Sequence, residues 1–272
     1  MVQFMSLGSG SSGNCYYMGM NGEGFLIDAG LPLHHIKGGL KREGIDFAGG
    51  IKAIIVTHDH ADHTNNVGRL SNEFNLPVYA HEAVHKRLRT NRRQESVRIA
   101  QNVRFITPGT PFELCGFTIT PFEVPHDSVR NVGYRITRAG TEFIFVLLTD
   151  VGHITPTITQ YASGTRYLVL EANYDREMLR SGSYPAFLKE RIAGPLGHLS
   201  NTESADFLCS VFHRRMEHVW LCHLSHENNH PELCRKYFDD RLYAEGIRLG
   251  KDLALDIFRK DHPSPLFSLS EE

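Results

Sequence analysis

Thr57-His58-Asp59-His60-Ala61-Asp62-His63 is the stretch whose reading decides how this chain folds. It comes directly after Ala53-Ile54-Ile55-Val56, an apolar and mostly β-branched run that reads as a buried strand. The pattern H-x-H-x-D-H places three imidazoles and two carboxylates in six consecutive positions, 58–63. Imidazole and carboxylate are the ligands that borderline divalent metals such as Zn, Mn and Fe prefer. His58 and His60, two apart in extended backbone, point the same way and can share one ion. Asp62 and His63 lie further along the turn and can serve a second ion close by. A strand end presents the loop after it rigidly, and sites form on such loops.

The surrounding composition is that of a folded protein. Lys and Arg number 29 and Asp and Glu 31 among 272 residues, a formal net charge of −2. That balance argues against a sequence-blind nucleic-acid coat but leaves room for a local basic groove. Apolar residues at 41 % and charged residues at 22 % rule out a disordered chain. No stretch approaches the ~18 apolar residues of a membrane-spanning helix; the most apolar run, 143–148, has the length of a strand. No basic segment followed by an apolar one opens the sequence, so a secretory leader is not expected. Cys15, Cys115, Cys209, Cys222 and Cys234 are scattered, odd in number and never spaced C-x-x-C. They read as free thiols of a reducing compartment, and a cytoplasmic location is expected. Sixteen histidines is the unusual figure.

Runs rich in Val, Ile, Phe and Tyr predict strands over 4–7, 24–28, 53–57, 78–80, 103–107, 117–123, 132–137, 142–149, 167–171, 219–224 and 253–258. Helices are predicted over 33–43, 64–74, 82–89, 175–192, 201–215 and 231–242. Strands dominate the first half and alternate with helices in the second. This order predicts an α+β chain: two sheets packed together with helices outside, as one continuous domain over 1–260. Residues 261–272 read as a loose tail.

The H-x-H-x-D-H block after an apolar strand resembles the first motif of the metallo-β-lactamase-fold superfamily. That resemblance implies a four-layer αββα sandwich with metals at one edge of its sheets. It implies further ligands downstream, each at a strand end, and His126, Asp150 and His223 stand in those contexts. By the match, His58, His60 and His126 hold one divalent ion and Asp62, His63 and His223 hold another. Asp150 bridges the two. Such paired ions lower the pKa of a shared water and clamp the oxygens of a displacement, so a bridging hydroxide is the implied nucleophile. Asp59 is expected to orient a ligand histidine.

His198, in Gly-Pro-Leu-Gly-His-Leu-Ser-Asn, leads into a helix N-terminus. Two readings stay open: a metal ligand in place of His223, or a phosphate-binding proton donor to the leaving oxygen. Gly8 to Asn14 invites a phosphate-loop reading but lacks G-K-[ST], so a tight turn beside the metal site is expected instead of nucleotide binding. The segment 86–104 holds Lys86, Arg87, Arg89, Arg92, Arg93, Arg98 and Arg104 against the single acid Glu95. It reads as an electrostatic track for a nucleic-acid backbone or as a solvated face.

Four separated blocks resemble the YycJ/WalJ-type subfamily more narrowly. They are Ser6-Leu7-Gly8-Ser9-Gly10-Ser11-Ser12-Gly13-Asn14, Glu171-Ala172-Asn173-Tyr174-Asp175 with Met178-Leu179, Tyr184-Pro185 to Gly197-His198-Leu199-Ser200-Asn201, and His223-Leu224-Ser225 with Glu227-Asn228-Asn229. Tyr174 departs from that pattern, where a histidine is expected. Members of this subfamily are metal-dependent 5′-to-3′ exonucleases acting on DNA. The resemblance therefore implies phosphodiester hydrolysis, with Asp62, Asp150 and His198 in the chemistry and Ser200, Asn201, Asn228, Asn229, Arg92 and Arg93 on the substrate. The length leaves no room for the large inserted domain of other nucleases of the superfamily, and no protruding Gly/Pro-rich arm or separate C-terminal helical domain is visible. The alternative is hydrolysis of a small ester, thioester or cyclic phosphodiester on the same site.

Overall fold

A computed structural model describes residues 1–90, 99, 101–260 and 262–272. The first part of the chain forms β1 (Val2–Gly8), β2 (Cys15–Met20), β3 (Glu23–Ile27), α1 (Leu33–Arg42), α2 (Phe47–Gly50), β4 (Ile51–Ile55), α3 (Ala61–Thr64), α4 (Val67–Phe74), β5 (Val78–His81), α5 (Glu82–Thr90) and β6 (Val103–Ile106). The middle forms β7 (Phe112–Leu114), β8 (Phe117–Glu123), β9 (Val132–Thr137), β10 (Ile144–Leu148), α6 (Pro156–Ala162) and β11 (Tyr167–Glu171). The last part forms α7 (Arg176–Ser181), α8 (Ala186–Ala193), α9 (Asn201–Val211), β12 (His218–Cys222), α10 (Pro231–Ala244), β13 (Ala254–Ile257) and β14 (Phe267–Leu269).

These strands build two sheets, ordered β14-β1-β2-β3-β4-β5-β6 and β13-β12-β11-β10-β9-β8-β7. Each is mixed: β3 to β6 run parallel in the first, and β10 to β13 run parallel in the second. The central strands, such as Ile-Phe-Val-Leu-Leu of β10 and Tyr-Leu-Val-Leu-Glu of β11, are apolar up to the site residue Glu171 because both faces are covered. One apolar cluster, with Phe4, Tyr16, Phe25, Tyr134, Phe145 and Trp220, lies between the sheets. A second packs the first sheet against α1, α4 and α5, and a third packs the other sheet against α6, α9 and α10. The result is the four-layer αββα arrangement.

Three differences from the sequence reading have local causes. The segment 175–192 is two helices, because Gly182 ends α7 and Pro185 keeps Tyr184 out of helical backbone. β2 directly follows the glycine-rich loop, whose turn character masked it. The expected loose tail is corrected: Val2, Gln3 and Phe4 pair with Leu269, Ser268 and Phe267, so the tail supplies an edge strand.

Candidate metal centre

The carboxyl ends of β3, β4, β8, β10, β11 and β12 meet at one edge of the sandwich, and the loops after them carry Asp28, His58, His126, Asp150, Glu171 and His223. Asp28, Asp150 and His223 have left-handed backbone, with φ of 60°, 56° and 56°. Such a conformation costs a non-glycine residue roughly 1–2 kcal/mol and persists where the surroundings fix it. Three such residues at one edge mark the place where the fold stores strain.

The side chains at this edge form a dense donor cluster. His58, His60 and His126 bring one ligand atom each to within 4.8 Å of one another, and so do Asp62, His63 and His223. Asp150 lies between the two trios. Its Oδ2 is 3.1 Å from His63 Nε2, and its Oδ1 is 3.7 Å from His126 Nε2 and 3.6 Å from His223 Nδ1. The sequence-predicted metal residues are thus brought together, with Asp150 central.

A histidine ligand needs one ring nitrogen bare and the other held by an acceptor. Hydrogen bonds provide this at most positions. His63 Nδ1–H donates to Asp28 Oδ2 at 2.7 Å, and His126 Nδ1–H donates to the Gly197 carbonyl at 3.0 Å. His223 Nδ1 faces Glu171 Oε1 at 3.0 Å, which leaves Nε2 toward Asp62 Oδ2 at 3.4 Å. His58 Nδ1 faces the Thr57 hydroxyl at 3.0 Å, and that hydroxyl donates to Asp28 Oδ2 at 2.8 Å. His58 Nε2 is then a buried nitrogen without a hydrogen-bond partner. A buried, unpartnered lone pair beside two more imidazoles is what a cation site requires.

The charges agree. Asp28, Asp62, Asp150 and Glu171 converge here, and among the described residues their ion-pair partners are histidines and not Lys or Arg. Burial and then the neighbouring imidazoles hold His58 well below the usual histidine range, so it is a neutral ligand. Burial opposes charge on His223 as well, but Asp150, Asp62 and Glu171 raise it to about 10. Asp150, Asp62 and Asp28 likewise outweigh burial at His63 and call for positive charge there. Yet the Asn14 side-chain amide, whose Oδ1 is held by the Gly10 N–H, points Nδ2 at His63 Nε2 from 2.9 Å and requires a lone pair on it. The ring proton therefore sits on Nδ1, toward Asp28, and the Nε2 lone pair, bonded to Asn14 here and close to the Asp62 and Asp150 carboxylates, serves a cation only when that amide gives it up. The donor set fits bound metal.

Several functional positions were not legible beforehand. Asp28 and Glu171 are both fully buried: Asp28 holds His63 directly and His58 through Thr57, and Glu171 holds His223 and the rim residue His198. Asn173 donates from Nδ2 to the His223 carbonyl at 2.8 Å. Asn14 reaches the centre from the glycine-rich loop, which sits beside it as a turn. Gly30 packs flat on the same loop backbone: a Cβ there would lie 1.6 Å from the Asp62 carbonyl oxygen. Asn14, Glu171 and Asn173 stood in the quoted blocks without an assigned role, and the early signal for Asp28 and Gly30 was that they follow a strand.

His198 sits at the rim with Nδ1 2.8 Å from Glu171 Oε1, its ring 5.1 Å from that of His126 and 5.2 Å from that of His223. Ser200, Asn201, Asn228 and Asn229, expected on the substrate, are buried. Ser200 caps α9 in a reciprocal box with Glu203. Asn201 and Asn229 bond each other's side chains at 2.8 and 3.0 Å in the interior. Asn228 is also buried, and neither polar atom of its side chain has a partner. Asp59, expected to orient a ligand histidine, accepts from the Val129 N–H at 3.0 Å, tying the histidine motif to the loop of His126 and touching no ligand ring. Arg92 and Arg93 lie outside the described residues.

Comparison with known proteins agrees with this geometry. The model of a beta-lactamase superfamily domain matches residues 24–219. An exodeoxyribonuclease WalJ of Streptococcus pneumoniae is 33 % identical over 269 residues, covering 97 % of both chains. An exodeoxyribonuclease YycJ of Bacillus anthracis is 31 % identical over 266 residues, again covering 97 % of each. Among solved structures, the metallo-beta-lactamase fold protein YhfI of Bacillus subtilis superposes with a TM-score of 0.69 at 18 % identity, over 97 % of this chain and 98 % of that one. This chain therefore belongs to the beta-lactamase superfamily, as a metal-dependent hydrolase of the metallo-β-lactamase fold.

Proposed function

We propose that this chain is a two-metal phosphodiester hydrolase acting as a 5′-to-3′ DNA exonuclease. One observation carries the reading. Two buried donor trios share Asp150 in a chain similar over nearly its whole length to proteins named exodeoxyribonucleases. His58, His60 and His126 would hold one ion and Asp62, His63 and His223 the other, with Asp150 common to both. When bound, two Zn, Mn or Fe ions would acidify a water and neutralise charge on a phosphate.

The chain's own groups supply the remainder. Asp28 and Glu171 fix the ring orientations, so the donor set is preorganised and needs no rearrangement to bind. Glu171 Oε1 holds His198 Nδ1 at 2.8 Å, which turns Nε2 outward as the atom that would pass a proton to the leaving 3′ oxygen. Arg87 on α5, whose Nε lies 3.6 Å from Asp59 Oδ2, stands at the edge of the histidine motif and supports a nucleic-acid track. Among the described residues, no helix is long and apolar enough to cross a membrane. The five cysteines are all free, which supports a cytoplasmic setting.

The test gives the Mn- or Zn-loaded protein 5′- and 3′-labelled single- and double-stranded DNA and RNA, with His60→Ala and Asp150→Ala as controls. Stepwise loss of nucleotides from the 5′ end of DNA, absent in both variants, is expected. A fully loaded wild type that cleaves no polymer would overturn the reading and redirect the search to small esters, thioesters and cyclic phosphodiesters.

A further inference from the structure

α8 is unusual in that none of its residues is buried, and Phe187 on it is 71 % exposed. A helix without a buried face gains little from the hydrophobic effect, so what holds it in place is informative. Its firmest side-chain tie to the metal centre is ionic. Arg191 Nε donates to Asp127 Oδ2 at 2.5 Å. The other oxygen of that carboxylate lies 3.3 Å from His126 Nε2 and 3.7 Å from His60 Nε2. It is buried without a hydrogen-bond partner of its own. Asp127 therefore stands with one oxygen at the mouth of the His58/His60/His126 trio and the other on a guanidinium.

That guanidinium is fixed at one end and open at the other. Arg191 is half exposed, with a side-chain exposure of 55 %, and among the described residues its ion-pair partner is Asp127. Its terminal nitrogens present the planar fork that suits a phosphate. The same design recurs across the motif, where Asp59 stands beside Arg87. The chain also continues from Arg191 directly into the His198 loop: the Ile192 carbonyl accepts from the His198 N–H at 2.9 Å.

We propose that Arg191 is a substrate-binding residue that grips a backbone phosphate of the nucleic acid on the His60/His126 side of the centre, with Asp127 as its positioning residue. This rests on the nuclease reading above. Asp127 holds the guanidinium in place before substrate arrives, so little side-chain freedom remains to be lost on binding. Because His198 hangs from the end of the same helix, phosphate capture by Arg191 also fixes the rim from which His198 acts.

The experiment compares Arg191→Gln, Arg191→Lys and Asp127→Asn with wild type in the manganese-loaded full chain. It measures metal content, oligonucleotide cleavage, and the salt dependence of binding to single-stranded DNA by fluorescence anisotropy. Arg191→Gln is expected to raise KM about ten- to a hundredfold, to change kcat less, and to keep its metal. It should also lower the slope of log affinity against log salt by about 0.7, the share of one phosphate contact on a single strand. Arg191→Lys should restore the slope but only part of the affinity, since a point charge replaces a fork. Asp127→Asn should leave the slope unchanged and weaken binding more mildly. An unchanged slope in Arg191→Gln, or equal losses with falling metal content in all three variants, would overturn the assignment and make the pair a clasp for α8. A metal-loaded wild type without nuclease activity would instead remove the nuclease reading itself, and the two failures are distinct.

Discussion

Asp28→Asn is the sharpest test of how the centre is held together. Asp28 accepts three hydrogen bonds: from the Thr57 N–H at 2.8 Å, the Thr57 hydroxyl at 2.8 Å and His63 Nδ1–H at 2.7 Å. Asparagine has the same shape and tolerates the left-handed backbone at this position, so the fold should persist. It keeps one acceptor oxygen, which the Thr57 N–H can hold. The new NH2 then faces the Thr57 hydroxyl and His63 Nδ1. The hydroxyl can rotate and accept, but His63 must move its proton to Nε2 to avoid two donors meeting. That proton occupies the lone pair needed for metal. Loss of such a supporting hydrogen bond costs about 10–100-fold in metal affinity, or roughly 1.4–2.7 kcal/mol. The assay is titration of chelated protein with zinc against a chromophoric competitor, alongside thermal melts of the metal-free form. One of two binding steps should weaken by that factor while the melting temperature of the chelated protein moves by only a few degrees. Unchanged affinity at both steps would refute the argument. A large drop in melting temperature with equal losses at both steps would also refute it, by showing that Asp28 serves the fold instead.

Other outcomes follow from the same geometry. Gly30→Ala places a methyl 1.6 Å from the Asp62 carbonyl oxygen and 2.2 Å from its carbon, so the Asp62–His63 backbone must shift. The expectation is loss of one metal equivalent by elemental analysis and destabilisation of at least about 2 kcal/mol in urea melts; a variant that binds two ions normally would refute it. In His198→Gln, kcat on DNA should fall by about 10²–10⁴ with metal content intact. The loss should shrink on a diester whose p-nitrophenolate leaves without protonation, and an equal loss on both substrates would exclude a proton-donor role. Metal uptake should release protons at neutral pH, because His223 in the chelated protein is raised to about 10 by Asp150, Asp62 and Glu171 against burial. That raised value stabilises the metal-free fold fully below the unfolded histidine pKa, and the contribution is lost as pH rises through about 10. Metal affinity runs the other way and should climb with pH across the same window. Calorimetry in buffers of different ionisation enthalpy reads the proton count, and a count of zero would show that His223 is already neutral.

Much of the fold was legible because its signals are local. β10 and the stretches 53–55 of β4, 167–170 of β11 and 219–222 of β12 announce themselves as continuous apolar runs, and that continuity itself reports two covered faces. Elements whose existence depends on distant partners were not legible. β14 is three residues, Phe-Ser-Leu, and is a strand only because β1 offers it an edge. β7 is equally short, a hairpin arm whose three residues are too few to show a pattern. The α7–α8 break was present in Gly182 and Pro185, but helical periodicity on either side obscured it. Its consequence is large, since the break frees α8 to stand at the rim of the site and not against the sheet.

The centre divides along the same line. Ligands are legible because a metal demands particular side chains close together, and four of them fall within six residues of sequence. The residues that aim those ligands carry no such signature. Asp28 meets His63 across 35 positions and Glu171 meets His223 across 52, so neither pairing exists until the strand ends are brought to one edge. Ser200, Asn201 and Asn229 show the converse. Their motif looked like a substrate surface, yet the same polar groups cap α9 and staple the loops beneath the site. In one dimension, a conspicuous polar motif does not say whether its side chains face a ligand or the protein. The difference is a matter of hydrogen-bond satisfaction, which only the folded chain decides. By that criterion His58 Nε2 and Asp127 Oδ1, buried and unpartnered, are where the centre still has bonding capacity. Both lie on the His60/His126 side, the side on which Arg191 waits.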